Sequence, residues 1–94
     1  MKKPTKIEIR EGTIKPFQFQ REMLKADSMR RHADQDNAEY WTGYMLGLRR
    51  AYHGPKFIVP GGHDLWLSLV DEQDPARQQR GRGYRDGFNF RAGL

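Results

Sequence analysis

One short glycine-aromatic pattern occurs twice in this chain, forty positions apart, and it constrains the fold more than any other feature. In each copy two glycines spaced i, i+4 enclose an aromatic residue and are followed by a large apolar residue. The copies are Gly43, Tyr44, Gly47 and Leu48, and then Gly83, Tyr84, Gly87 and Phe88. Glycine inside a helix costs up to about 1 kcal/mol relative to alanine, and the usual compensation is the close approach of two backbones. We therefore predict that two helices cross at these glycine strips, with each tyrosine packing over the other helix.

A second interpretation of the strips is that they receive a ligand or the backbone of a partner. Internal packing is favoured, because a short chain needs its aromatic side chains in its own core. If the repeat is real, the protein consists of two helical hairpins. Each hairpin then has a helix, an acidic cap and a glycine-bearing helix.

The length of 94 residues predicts a single domain spanning 1–94, with one modest core. The absence of cysteine excludes disulfides and thiolate metal sites, and indicates a reducing compartment. Neither a membrane-spanning apolar run nor a signal peptide is recognisable, so we expect a cytoplasmic protein that does not enter the membrane.

The predicted fold class is mainly α, a small bundle of about four helices with a short extended or β N-terminal arm. Residues 1–16 form the basic arm, in which Ile7 and Ile9 alternate as in a strand, and residues 17–94 form the helical body. Helices are predicted over 17–33, from a capping box at Asp36 and Glu39 to about residue 52, and over 75–90 after an Asp74 cap. Residues 56–59 are expected to be extended, and 63–70 fit either a strand or a helix, of which we favour the helix.

The sequence shows no recognisable catalytic, cofactor or metal site. The three histidines have no ligand spacing, no phosphate-binding loop is present, and most acids lie at helix starts or beside arginines. His63 and Asp64 form the one local pair of catalytic residue types, but adjacent helical residues point apart. We therefore expect that the protein is not an enzyme.

The net charge is +5, and arginines are concentrated in the last predicted helix. Arginine binds carboxylates and phosphates through planar paired hydrogen bonds, so an acidic protein and a nucleic acid are both suitable partners. The other interpretation is that Arg80, Arg82 and Arg85 pair with nearby acids and form a solvated face. As partner-binding residues we predict Leu46, Arg49, Arg50, Arg80, Arg82 and Arg85.

Three runs of the sequence resemble small uncharacterised proteins of bacteriophages and prophages. They are residues 40–54, 63–69 and 80–87. The resemblance implies an accessory factor that binds and blocks a host machine, as anti-CRISPR proteins do. Many anti-CRISPR proteins are acidic, so the charge of +5 argues against mimicry of a nucleic acid.

The leading hypothesis from the sequence is a phage or mobile-element protein that binds a host protein or nucleoprotein complex stoichiometrically in the bacterial cytoplasm. Inhibition of a defence system such as CRISPR-Cas is one form of that activity. The alternative is a small basic nucleic-acid-binding module, because the arginines of the last predicted helix are interleaved with Tyr84 and Phe88. The N-terminal strand followed by two helices also resembles a ribbon-helix-helix dimerisation layout, although Gly12, Pro16 and two further helices depart from it. The sequence is compatible with a monomer or a homodimer.

Overall fold

The computed structural model describes residues 14–90, and these residues contain four α-helices and no β-strand. The helices are α1 (Pro16–Arg31), α2 (Gln35–His53), α3 (Gly62–Ser68) and α4 (Pro75–Phe88), and two 3-10 turns span Pro55–Phe57 and Leu69–Asp71. The prediction of a mainly helical bundle is confirmed. The strand predicted within residues 6–10 lies outside the described residues.

Both glycine-bearing helices begin at an aspartate whose side chain accepts a hydrogen bond from the backbone N–H three residues later. Asp34 accepts from Asn37, and Asp74 accepts from Arg77, each at 3.0 Å. The prediction for Asp74 is confirmed. The capping box at Asp36 is wrong, because Asp34 already has the extended backbone of an N-cap residue, which places Asp36 inside the first turn.

The remaining boundaries differ from the predictions only locally. Residues 63–70 are helical as favoured, with the 3-10 turn as their last part. Residues 56–59 were predicted to be extended, but the first two of them belong to the 3-10 turn Pro55–Phe57. This turn follows Gly54, which has a positive φ of 95°. Helix α4 ends at Phe88, two residues earlier than predicted, because Asn89 leaves helical geometry as its C-cap.

Helices α2 and α4 pack directly on each other through the two glycine strips, as the sequence pattern predicts. A Cβ atom added to Gly43 would overlap the carbonyl oxygen of Arg80, and one added to Gly83 would overlap that of Tyr40. A Cβ on Gly87 would likewise overlap the carbonyl oxygen of Tyr44. No side chain longer than hydrogen fits at these positions without separating the helices.

The contacts of the glycine strips also show that α2 and α4 run parallel and in reciprocal register. Arg80 of α4 lies opposite Gly43 of α2, and Tyr84 lies opposite Gly47, so the residue numbers rise in the same direction along both helices. The positions Tyr40 and Arg80 are themselves forty residues apart, and each lies against the first glycine of the other strip. The two glycine strips are therefore related by an approximate two-fold axis between α2 and α4.

The other two helices, called the outer helices below, each pack on the central helix of their own half: α1 packs on α2, and α3 packs on α4. The hydroxyl of Tyr44 donates to Glu22 Oε2 on α1 at 2.5 Å, and the hydroxyl of Tyr84 lies 2.6 Å from His63 Nδ1 on α3. The expectation that each tyrosine covers the opposite central helix is therefore wrong. Each ring instead binds its own half's outer helix, because the glycine strips leave no room for a ring between α2 and α4.

The core lies mainly in the first half, between α1 and α2. Its fully buried members include Ala26 and Leu48, and the ring of Phe19 stacks on Tyr52 with centroids 4.1 Å apart. Tyr84 is the largest fully buried side chain, and it stacks on Trp66 of α3. The aromatic residues thus supply much of the buried area that holds the outer helices in place.

Candidate functional site

An open groove of about 820 Å³ separates the end of α1 from the outward side of α4, with α2 between them. Ligand sites commonly have volumes of this order. Its lining combines apolar, aromatic, amide and charged side chains: Ser28, Met29, His32, Ala33, Asn37, Tyr40, Trp41, Gln79, Arg82, Arg85 and Asp86.

Tyr40 and Asp86 form a fixed polar link between α2 and α4 inside the groove. The Tyr40 hydroxyl donates to Asp86 Oδ2 at 2.6 Å, and the other carboxylate oxygen accepts from Arg85 Nε at 3.2 Å. Burial, together with the hydrogen bond to the carboxylate, raises the pKa of Tyr40 well above its usual value. Tyr40 therefore stays protonated and holds Asp86 as an acceptor.

Trp41 provides the aromatic surface of the groove. Its ring meets Tyr40 and Tyr44 edge to face, with centroids 5.0 Å apart in both pairs. Met29 lies across the groove on α1 and remains 46% exposed. These two side chains present an apolar surface that water covers until something displaces it.

The predicted partner-binding arginines Arg82 and Arg85 both line the groove. Arg85 is bound to Asp86, whereas Arg82 is exposed and forms no ion pair within residues 14–90. Arg82 is therefore the cation at this site that is available to a carboxylate or phosphate.

The other charges of α4 are partly neutralised. Arg80 Nε donates to Glu39 on α2, and this hydrogen bond raises the pKa of Arg80. Arg77 lies 3.7 Å from Glu72. The interpretation of α4 as a largely paired, solvated face fits most of its arginines, although Arg80 finds its acid on α2 and not in the neighbouring sequence.

The structure does not bring the remaining predicted contact residues to the groove. Arg50 lies with its guanidinium carbon 5.4 Å from the Phe88 ring centroid, and its Nε is buried without an acceptor among the residues described. Arg49 lines a smaller surface depression with Arg30, and Leu46 is partly exposed on α2. The six predicted contact residues are thus spread over several surfaces.

His63 lies in an aromatic cluster outside the groove. Its ring centroid is 4.6 Å from that of Phe88, and burial, followed by the charge of Arg50, lowers its pKa. In the described part of the chain, no three histidine, aspartate or glutamate side chains are close enough to hold a metal ion. Nor does any helix there combine the length and apolar character needed to cross a bilayer.

The sequence predicted neither the groove nor a contact role for Trp41. Asn37 and Gln79, which also line the groove, were likewise not predicted to contact a partner. The available signal was the repeat itself: at the position where the first half has Trp41, the second half has Gly81. The difference between Trp41 and Gly81 indicates a groove only once the structure shows that the two positions are equivalent.

Comparison with protein-family models, with curated proteins and with solved structures finds no match to this chain.

Proposed function

We propose that this protein acts by stoichiometric binding to a partner protein and that the groove between α1, α2 and α4 receives part of that partner. The observation that carries the proposal is the exposed Arg82 beside an apolar surface formed by Met29 and Trp41. Protein interfaces are built in this way, with aromatic, methionine and arginine side chains at the centre.

The biological context of the proposal rests on the resemblance to phage and prophage proteins. In that context the partner is a host protein or nucleoprotein complex in a bacterial cytoplasm, and inhibition of a defence system such as CRISPR-Cas is one outcome of binding. A small single-domain protein suits such a role, because blocking a machine requires only a complementary surface and sufficient affinity.

Affinity capture from a bacterial lysate, followed by mass spectrometry, tests the proposal with two charge-reversal variants on one helix. Arg82→Glu reverses the cation of the groove, and Arg77→Glu reverses an exposed arginine that does not line it. We expect the wild type and Arg77→Glu to retain the same protein at near-equal stoichiometry. Arg82→Glu should retain much less of it, because the reversed charge repels an acidic partner surface.

Two outcomes would contradict the proposal. One is that the wild-type chain retains no protein above background at low salt. The other is that nuclease treatment removes the retained material while purified DNA binds directly, with an affinity that falls steeply with salt. The second result would favour the nucleic-acid-binding alternative, which the exposed Arg82 and the charge of +5 also allow.

A further inference from the structure

The two halves of the molecule differ at the position that follows Tyr40 in one and Arg80 in the other, where the first half has a tryptophan and the second a glycine. In the second half, Gly81 allows the 3-10 turn Leu69–Asp71 to lie directly on α4. A Cβ atom at Gly81 would be 2.6 Å from the backbone nitrogen of Val70. The first half has Trp41 at that position, and its indole ring lies edge to face against Tyr44 and lines the groove. Trp41 therefore gives the groove an aromatic surface at a position where the second half has no side chain.

The polar groups of the groove include both donors and acceptors. Asp86 accepts, Arg82 donates, and the side-chain amides of Asn37 and Gln79 can do both. A peptide backbone presents donors and acceptors in alternation and can satisfy all of these groups. A phosphodiester backbone presents only acceptors, so it cannot donate hydrogen bonds to Asp86 or to the two amide oxygens.

The charge and the apolar surface specify the side chains that such a peptide needs. The free cation of the groove is Arg82, so a carboxylate is the complementary group. Met29 and Trp41 offer a polarizable and an aromatic surface, which adapt well to one large apolar side chain.

We propose that the groove binds a short acidic segment of a partner protein that carries one large apolar residue. The inference rests on the proposed function and adds the chemical class of the partner's contact segment. The apolar residue lies against Met29 and Trp41, an aspartate or glutamate pairs with Arg82, and the segment's backbone bonds to Asn37 and Gln79.

Selection of displayed random heptapeptides on the immobilised full chain at low salt tests this inference. We expect the enriched peptides to contain at least one acidic residue and one aromatic or large aliphatic residue. Fluorescein-labelled synthetic versions are then titrated, and binding is followed by fluorescence anisotropy. Arg82→Glu should weaken binding at least about tenfold. Met29→Ala should weaken it several-fold, and Arg77→Glu should change it less than about twofold.

The variants are compared only after circular dichroism shows that their helical content equals that of the wild type. The inference is overturned if no peptide is enriched, if the enriched peptides lack acidic residues, or if Arg82→Glu binds them as well as the wild type. Tight binding of a labelled single-stranded DNA 20-mer that Arg82→Glu abolishes would overturn it too. A lysate protein whose capture depends on Arg82 but which contains no such segment would refute this inference and leave the proposed function standing. The absence of any captured protein would refute the proposed function.

Discussion

His63 shows how one side chain connects the stability of the fold to pH. Its Nδ1 lies 2.6 Å from the Tyr84 hydroxyl, and its ring packs against Phe88. Burial lowers its pKa, the nearby Arg50 lowers it further, and Asp64 opposes the change. The neutral imidazole is therefore the form that the folded state favours.

The expected consequence is a loss of stability at mildly acidic pH. The unfolded chain binds a proton at His63 near pH 6.5, before the folded state does. The contribution of His63 to the free energy of unfolding is thus complete above about pH 6.5 and is lost as the pH falls through the lower folded-state pKa. Urea unfolding at pH 7.5 and pH 5.0 should show a smaller pH-dependent loss for His63→Gln than for the wild type.

His32 supplies the control for this experiment, because it is exposed and its ring bonds only to the backbone of its own helix. His32→Gln should keep the pH dependence of the wild type. An equal loss of stability in wild type and His63→Gln would show that His63 does not contribute to the pH dependence.

At the scale of helices, the glycine strips determine how closely α2 and α4 approach. Gly83→Ala is expected to destabilise the protein by about 1–3 kcal/mol, because the added methyl group meets backbone atoms that cannot rotate away. This is the net effect: the steric clash should outweigh the gain of about 1 kcal/mol that alanine brings to a helix relative to glycine. Chemical denaturation measures the difference in the free energy of unfolding.

The neighbouring substitution Arg82→Ala is the matched control, since residue 82 is exposed on the same turn. It should change stability by less than about 0.5 kcal/mol. A Gly83→Ala protein more stable than the wild type would mean that the helices can separate at little cost, and the packing argument would then be wrong.

The sequence predicted those elements whose signals are local. The Asp74 cap and the glycine pairs depend on a few neighbouring residues, and both are found in the structure. Glu39 was misassigned to a capping box because its actual partner, Arg80, lies 41 residues away on another helix. The direction of the tyrosines and the groove depend likewise on where the outer helices lie, which no local pattern specifies.

At the scale of the whole molecule, the two hairpins depend on each other. Among the described residues, the main contact between the halves is that of α2 with α4, and separating the halves exposes both glycine strips. We expect fragments 1–58 and 59–94 to be largely unfolded alone, because each has too little buried area to offset its conformational entropy. Mixing them should restore helical structure.

Circular dichroism of each fragment and of an equimolar mixture tests this expectation. The mixture should show more helical signal than the sum of the separate fragments, and it should unfold cooperatively. Cooperative unfolding of either fragment by itself would show that one hairpin is an independent domain.

The parallel arrangement of α2 and α4 has a consequence for the rate of folding. Helices that follow each other in a hairpin meet after closing a short turn, but the Tyr40–Asp86 and Glu39–Arg80 contacts close loops of 46 and 41 residues. Closing such loops costs chain entropy before any contact compensates for it, and proteins rich in distant contacts fold slowly for that reason. We therefore expect the docking of α2 on α4, and not helix formation, to limit the rate at which this chain folds.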